Sequence, residues 1–187
     1  MKKKLEPANL LYPTPTVLIG AEVEGKPNFI TIAHIGILSH QTPLLVSFSM
    51  AKVHYTNQGI TGNRQFSVNI PSESLVAKTD YCGIVSGRNK DKSSLFNLFY
   101  GDLEHAPMIS ECPVNMACKL FDNYILPTHD LFIGEIVETY ADESVLKDDI
   151  VDISRVKPLL FDMSSKKYWA LGNVVAGCWN IGKSIKK

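Results

Sequence analysis

One short segment of the sequence combines the residue types that bind a phosphate group. Lys52, His54 and Thr56 follow a strand-like run that carries Ser47 and Ser49. Thr56 stands where a helix N-cap is expected, and a helix start presents unpaired N–H groups and a partial positive charge. A lysine and a hydroxyl at such a place are suited to hold a dianion. The same spacing also fits a simple helix cap with Lys52 and His54 in solvent.

His129 is the second candidate for chemistry, because it lies just before an apolar strand, where a side chain can be held over a ligand. A single histidine is also commonly structural or solvated. The five histidines form no i, i+4 pair and the four cysteines form no Cys-x-x-Cys. These spacings match no common metal framework, so no metal site is predicted. A cysteine–histidine metal protein stays an alternative that would require metal in the purified sample.

The charge balance excludes whole classes of function. Lys plus Arg number 19 and Asp plus Glu number 19, so the net charge is zero and nucleic acid is not the predicted partner. No hydrophobic run is long enough to cross a bilayer, and no signal-peptide core follows the basic N-terminus, so no membrane association is predicted. We expect a cytoplasmic protein with reduced cysteines. The sequence also lacks the glycine-rich loops of Rossmann and Walker sites.

Short strands dominate the predicted secondary structure. Apolar and polar residues alternate, with turn residues between the runs, and this predicts strands over residues 15–24, 29–35, 44–50, 65–70, 114–121, 131–140 and 167–171. A short helix is predicted over residues 72–79, and residues 80–91 are predicted to form a loop. This pattern favours a mainly β, antiparallel barrel over a layered α/β fold.

The chain is predicted to form a single domain over residues 1–187, with its core at about residues 10–185. The end of the chain, residues 177–187, contains Trp179 and three lysines. It fits a frayed tail, and it also fits an arm that packs on a neighbouring subunit.

Several runs of the sequence occur in the order known from one family, at residues 28–33, 47–49, 52–60, 66–72, 79–87, 91–92, 129–135 and 168–172. Together they resemble the flavin reductase-like family with the FMN-binding split-barrel fold, most closely its flavoredoxin branch. The resemblance covers residues 10–185. It implies an antiparallel split β-barrel with a few short helices, and a homodimer with the flavin near the subunit interface.

The resemblance also implies the residues of an FMN site. His129 would stand where an electron donor approaches the flavin, as the catalytic residue. The loop that carries Lys52, His54, Tyr55 and Thr56 would receive the phosphate. The full set of implied cofactor contacts is Asn28, Thr31, Ile32, Ala33, Ser47, Phe48, Ser49, Lys52, His54, Tyr55, Thr56, Asn69, Cys82, Ser86 and Lys92.

Three positions depart from the broader family that the chain resembles. Many members have an aromatic residue where His34 stands, an arginine at the place of His54 and a phenylalanine at the place of Ser93. The resemblance implies that these departures are features of the flavoredoxin branch, that flavin binding stays intact, and that the identity of the electron donor is left open.

The function that the resemblance implies is electron transfer through FMN. The protein would pass electrons from a reduced donor, NAD(P)H, through FMN to a flavin, a metal or a redox protein, as an NAD(P)H-dependent flavin oxidoreductase. One alternative is a flavin-binding electron carrier that docks redox-protein partners and has little NAD(P)H activity of its own. Another is an all-β interaction module without a cofactor.

Overall fold

Short strands make up most of the computed structural model, which describes residues 1–11 and 13–185 and leaves Tyr12, Lys186 and Lys187 of the predicted domain outside. In this part the strands are β1 Thr14–Pro15, β2 Val17–Val23, β3 Lys26–Ile32, β4 Ile35–Ser39, β5 Leu45–Ala51, β6 Gln65–Ile70, β7 Leu98–Phe99, β8 Met108–Ile109, β9 Val114–Ile125, β10 His129–Ala141, β11 Leu146–Lys147, β12 Ile150–Val151, β13 Leu160–Asp162 and β14 Lys167–Trp169. The α-helices are α1 Thr56–Asn63, α2 Val76–Ile84 and α3 Ile153–Val156. None of the helices in residues 1–11 and 13–185 has the length and apolar character that a membrane crossing requires.

A seven-stranded antiparallel sheet, in the order β3-β2-β6-β9-β10-β5-β4, organises the fold. Its first hairpin turns at Glu24 and Gly25, which both have positive φ, as the tightest hairpin turns require. The two edge strands, β3 and β4, follow each other in the chain, and the Ser49 N–H donates a 3.0 Å hydrogen bond to the His34 carbonyl. The sheet therefore curves back on itself, and the predicted mainly β, antiparallel split barrel is confirmed.

The interior of the barrel is filled by aromatic and branched side chains. The Phe48 ring lies 5.1 Å from the ring of Phe66 and 5.5 Å from that of Phe132, measured between centroids. All three are almost fully buried, and burying such a side chain stabilises the fold by about 1.5–3 kcal/mol. Because side chains alternate along β5, Ser47 and Ser49 point to the other face, where they border cavities.

A small sheet of β1, β13 and β14 stands beside the barrel. It is attached through the Thr16 N–H, which donates to the Leu159 carbonyl at 3.0 Å. The Tyr168 hydroxyl donates to the Asp80 carboxylate at 2.9 Å and so joins the β13–β14 hairpin to α2. This hairpin becomes one wall of the candidate site.

Two features of the secondary structure correct the sequence-based prediction. The predicted loop over residues 80–91 is wrong at its start, because α2 continues to Ile84. Burial of Thr79 and Cys82 against the barrel outweighs the poor helix propensity of Gly83. Strands β4 and β13 were not predicted separately, because β4 is an edge strand with an exposed Gly-Ile-Leu run and β13 has only three residues.

Candidate functional site

A cavity of about 430 Å³ opens between β3 and β5, which do not pair with each other in the described sheet. Residues 31–34 and 49–51 form two of its walls, α2 contributes Gly83 and Ile84, and the β13–β14 hairpin closes another side. We call it the split cavity. Its size lies within the range of roughly 300–1,000 Å³ that is usual for ligand and cofactor sites.

A second space of about 230 Å³, which we call the helix cavity, adjoins the split cavity beside the start of α1. The two share His54, Gly83 and Ile84 as walls. Seven of the predicted cofactor contacts border the helix cavity: Asn28, His54, Tyr55, Thr56, Cys82, Ser86 and Lys92. The fold thus brings residues from four separate segments of the chain to one place.

Thr56 holds a different position from the predicted N-cap. It is the first residue of α1, and the preceding Tyr55 makes no side-chain capping bond. The Thr56 hydroxyl accepts a 2.7 Å hydrogen bond from the Asn28 side-chain amide, and both side chains are buried. The hydroxyl proton of Thr56 is therefore left to donate elsewhere, towards the helix cavity that Thr56 borders.

Lys92 places a cation in the wall of the helix cavity. Only 2% of its surface is exposed, and its Nζ donates to the carbonyls of Cys82 at 3.1 Å and Val85 at 2.9 Å. These two bonds leave one ammonium proton unused, and no carboxylate pairs with Lys92 in the described chain. Burial lowers the pKa of this lysine, so the site favours an anion that would offset the cost of the charge.

The nearby Cys82 does not supply that anion. Burial raises the pKa of its thiol to about 11, although Lys92 opposes the shift. At neutral pH the thiol is therefore protonated, and Cys82 acts as an uncharged wall of the helix cavity.

Three histidines surround the split cavity. His34, His54 and His129 all border it, and the rings of His34 and His129 are 6.3 Å apart between centroids. The pKa of His54 is lowered by burial first, and then by the positive charges of Lys92 and His129. The Nδ1 atom of His129 lies 2.8 Å from the Thr128 hydroxyl, which fixes the orientation of its ring.

Hydroxyl groups line the split cavity from β3 and the segment before β2. The Thr31 hydroxyl donates to the Thr79 carbonyl. Thr16 also borders the cavity, and its buried hydroxyl has no hydrogen-bond partner in the described chain. A buried polar group without a partner costs stability, so Thr16 is suited to bind a ligand atom.

A third space of about 650 Å³, which we call the histidine chamber, adjoins the split cavity and shares His34, Ser49 and His129 with it. Ser47 and Phe48 also border this chamber. The predicted contacts Thr31, Ile32, Ala33 and Ser49 lie at the split cavity itself. These positions leave only two predicted residues outside the connected cavities.

Lys52 and Asn69 are the two residues that the fold does not bring to the cavities. Lys52 is exposed on the turn after β5 and borders none of the spaces described above. Asn69 is fully buried, and its amide bonds to the Leu18 carbonyl at 3.0 Å, the Asn115 side chain at 2.8 Å and the Ile109 N–H at 2.9 Å. These contacts give Asn69 a role in joining strands.

Residue-based reasoning missed the wall that the β13–β14 hairpin provides. Phe161, Met163 and Lys166 border the split cavity from this hairpin. Their segment has too few alternating residues to predict a strand, and their partners are distant in the sequence. Within the described residues, no three His, Cys, Asp or Glu side chains are grouped as metal ligands.

The arrangement suits an elongated molecule with two chemically different ends. The helix cavity offers a buried cation and hydroxyl groups, as an anionic end requires. The split cavity offers hydroxyl groups, imidazoles and apolar side chains, as a planar heteroaromatic end requires.

Comparison with known proteins gives a consistent result. Residues 9–170 match the family model described as flavin reductase like domain. The crystal structure of flavoredoxin from Methanosarcina acetivorans is 40% identical, with a TM-score of 0.95 over 98% of both chains. Flavoredoxin of Desulfovibrio vulgaris (Miyazaki F) is 38% identical, with a TM-score of 0.90 over 97% of this chain and all of that one. An uncharacterized protein of Archaeoglobus fulgidus is 31% identical over 77% of this chain and 81% of its own length.

Proposed function

Because the chain belongs to the flavin reductase-like family, in its flavoredoxin branch, we propose that it is a flavoprotein that binds FMN and transfers electrons through it. The observation that carries this proposal is the buried Lys92 ammonium, which borders the helix cavity and has no carboxylate partner in the described chain.

Lys92 and Thr56 would hold the FMN phosphate end. The Lys92 ammonium has one proton free of the α2 carbonyls, and the Thr56 hydroxyl is oriented by Asn28. A dianionic group beside Lys92 would offset the burial that lowers its pKa. Ser86, at the cavity rim, adds a further hydroxyl donor.

The isoalloxazine end would lie in the split cavity. Thr16 has a buried, unpartnered hydroxyl there, and Ala33 and Ser49 offer small side chains that leave room for a flat ring. When bound, FMN supplies the ability to accept two electrons and to release them one or two at a time. The protein's part is to bind the ring, to orient it and to exclude water from one face.

His129 would orient the electron donor and exchange a proton with it. Its Nδ1 is held by Thr128, which leaves Nε2 facing other partners. The lowered pKa of His54 keeps that imidazole neutral at neutral pH, so the buried Lys92 is the cation that the site offers to the phosphate.

We propose NAD(P)H as the electron donor and a flavin, a metal or a redox protein as the acceptor. The histidine chamber, beside the split cavity, offers space for the second substrate. The test is anaerobic titration of FMN-loaded protein with NADH and NADPH. Rapid bleaching near 450 nm supports the reductase, whereas no bleaching by either nucleotide at high concentration rejects it.

A second function is an electron carrier that docks redox proteins. Val53, Ile84 and Leu126 are exposed apolar residues at the cavity mouths, which favours protein contact around the site. In this case a reduced redox protein would bleach the flavin and nicotinamide nucleotides would not.

We also propose that the protein is a homodimer. The C-terminal segment after β14 presents Val174, Val175, Trp179 and Ile181 to solvent, with Val175 99% exposed and Trp179 92% exposed. Contact with a second copy would bury this apolar surface. Light scattering after size-exclusion chromatography tests this proposal, and a monomer at micromolar concentration would reject it.

FMN binding itself is tested by the absorption spectrum. We expect purified protein to be yellow, or to take up added FMN at about one equivalent per chain, and to release FMN on denaturation. Colourless protein that takes up no FMN would instead favour an interaction module without a cofactor.

A further inference from the structure

The histidine chamber can develop only positive charge. The side chains that border it in the described chain include His34 and His129 but no aspartate, glutamate, lysine or arginine. The other walls are apolar or carry hydroxyl groups, with Leu131, Phe161 and Met163 among the apolar ones. Among the described residues of its lining, the two imidazoles are therefore the only groups that can carry a charge.

The two rings are spaced to share one ligand oxygen. Their centroids are 6.3 Å apart and their planes are inclined by 59°. A ring nitrogen that donates at about 2.8 Å places its centroid roughly 4 Å from the acceptor oxygen. At a centroid separation of 6.3 Å, the rings of His34 and His129 can therefore each donate a hydrogen bond to the same ligand oxygen.

Each ring retains a nitrogen for such a bond. The contact between Thr128 and Nδ1 of His129 leaves Nε2 of that ring available. The His34 side chain makes no hydrogen bond and no ion pair within the residues that the structure describes. Both imidazoles can therefore act as donors to a ligand.

The carboxylates nearest the chamber have partners of their own. Asp80, at the split cavity, accepts from the Tyr168 hydroxyl at 2.9 Å. Asp130, next to His129, accepts from the Asn57 side chain at 3.0 Å. The remaining titratable groups that face the adjoining split cavity are His54 and Lys166, and neither side chain can become negatively charged.

We propose that the histidine chamber is a subsite for a planar monoanion, such as an aromatic or conjugated carboxylate or a phenolate. One anionic oxygen accepts from His34 and His129, and the ring packs on Leu131, Phe161 and Met163. The proposal deepens the proposed function and rests on it, because the chamber adjoins the split cavity in which the flavin ring would lie. His34 is the specificity-determining residue, since its side chain borders the chamber and makes no hydrogen bond or ion pair within the described residues.

The proposal predicts that binding takes up protons. A bound anion stabilises the imidazolium form of both histidines, so the affinity for an anion decreases as the pH rises and that form is lost. A neutral molecule of the same shape lacks this coupling.

The test is calorimetric titration of the FMN-loaded protein with sodium benzoate and with benzamide between pH 5.5 and 8.5. Benzoate stays ionised over this interval, because carboxyl groups titrate near pH 4. We expect the Kd for benzoate to rise by about tenfold or more across the interval, with proton uptake detected from two buffers of different ionisation enthalpy. The Kd for benzamide should change less than about twofold.

Variants assign the effect to the pair of histidines. H34F should bring benzoate and benzamide to within about threefold of each other at pH 5.5, and H34Q should keep weak binding with a smaller pH dependence, because His129 remains. H40F is the matched control, because His40 is exposed and does not border the chamber. Retained FMN content and far-UV circular dichroism check that each variant folds.

Two results would overturn the proposal. In one, wild-type protein binds benzoate and benzamide equally at every pH, or binds neither at millimolar concentration. In the other, H34F binds benzoate as the wild type does. Neither result changes the uptake of FMN. A protein that takes up no FMN would contradict the proposed function instead. The same titration on FMN-free protein would still test the chamber.

Discussion

The side-chain amide of Asn28 donates a 2.7 Å hydrogen bond to the hydroxyl oxygen of Thr56. This contact joins the middle of β3 to the first residue of α1, and both residues are buried. Because the hydroxyl oxygen of Thr56 accepts this hydrogen bond, the hydroxyl proton must be donated to a different acceptor. A ligand phosphate in the helix cavity would be such an acceptor.

Thr56→Ala should weaken FMN binding by about 1–2 kcal/mol, or roughly 5- to 30-fold in Kd, because it removes one hydrogen bond to a charged group. The Asn28 amide also loses its acceptor. Quenching of FMN fluorescence on binding measures the Kd. Thr56→Ser keeps the hydroxyl and should bind FMN within about threefold of wild type. An unchanged Kd in Thr56→Ala would move the phosphate to another place.

Lys92→Met should raise the Kd for FMN by about 100-fold or more, because removal of a buried cation that faces an anion costs about 3–5 kcal/mol. The thermal stability of the FMN-free protein should change little, since the lost bonds to the Cys82 and Val85 carbonyls are offset by the removal of a buried charge. Equilibrium dialysis and a thermal melt give the two readouts.

Lys90→Met is the matched control for Lys92→Met. Lys90 is exposed and does not border the helix cavity itself, but it borders an adjoining groove that shares Asn28, Tyr55, Gly87 and Lys92 with that cavity. Its loss should change the Kd by less than about threefold. Equal effects of the two substitutions would show that Lys92 acts only through the general positive charge of the loop.

The barrel strands were predictable because their burial is periodic. Val46, Phe48 and Met50 are buried while Ser47 and Ser49 are partly exposed, so period-two alternation in the sequence reports directly on the two faces of β5. The register of the strands and the closure of the barrel depend on pairings between distant segments and were not predictable from one strand at a time.

The candidate site was predictable only in part, for the same reason. A possible phosphate-binding segment at Thr56 was visible from residue types alone, but its partner Asn28 and the buried Lys92 came from the resemblance to a family. The end of α2 at Ile84 depends on contacts with Lys92, which lies eight residues further along. Phe161 reaches the cavity through a three-residue strand that has no local signature.

Stability should decrease as the pH rises above 9. Burial raises the pKa of the Cys82 thiol to about 11, and it raises the pKa values of Cys112 and Cys118 as well. Above pH 9 the unfolded chain loses these protons while the native protein keeps them, so the free energy of unfolding falls with pH. Burial lowers the pKa of Lys92, so this lysine makes the free energy of unfolding rise with pH below pH 10.5. The three thiols outweigh this single lysine.

Urea unfolding of reduced protein at pH 8, 9 and 10 measures this dependence. Cys118→Ala removes one of the three thiols and should lessen the slope above pH 9 by about 1.4 kcal/mol per pH unit. Cys178→Ala is the control, because this thiol is exposed in the native protein and should leave the slope unchanged. A slope that is equal in all three proteins would contradict the burial-based shift.

Gly87 and Gly62 offer a matched pair of alanine substitutions, one that borders the helix cavity and one that does not. A Cβ atom at Gly87 would overlap the Asn28 side-chain amide and would lie 3.1 Å from the Tyr55 ring. Since Asn28 orients Thr56, Gly87→Ala should displace that hydrogen bond and lower both stability and FMN affinity, each by about 1–3 kcal/mol. At Gly62, in α1, a Cβ atom meets nothing within 4 Å.

Gly62→Ala should therefore stabilise the protein by about 0.5–1 kcal/mol, because alanine is favoured over glycine inside a helix. Its FMN affinity should equal that of wild type, since Gly62 does not border the helix cavity. Urea unfolding and fluorescence titration on both variants measure the two quantities. If Gly87→Ala binds FMN normally, Asn28 is not required to orient Thr56, and the phosphate is held by Lys92 without it.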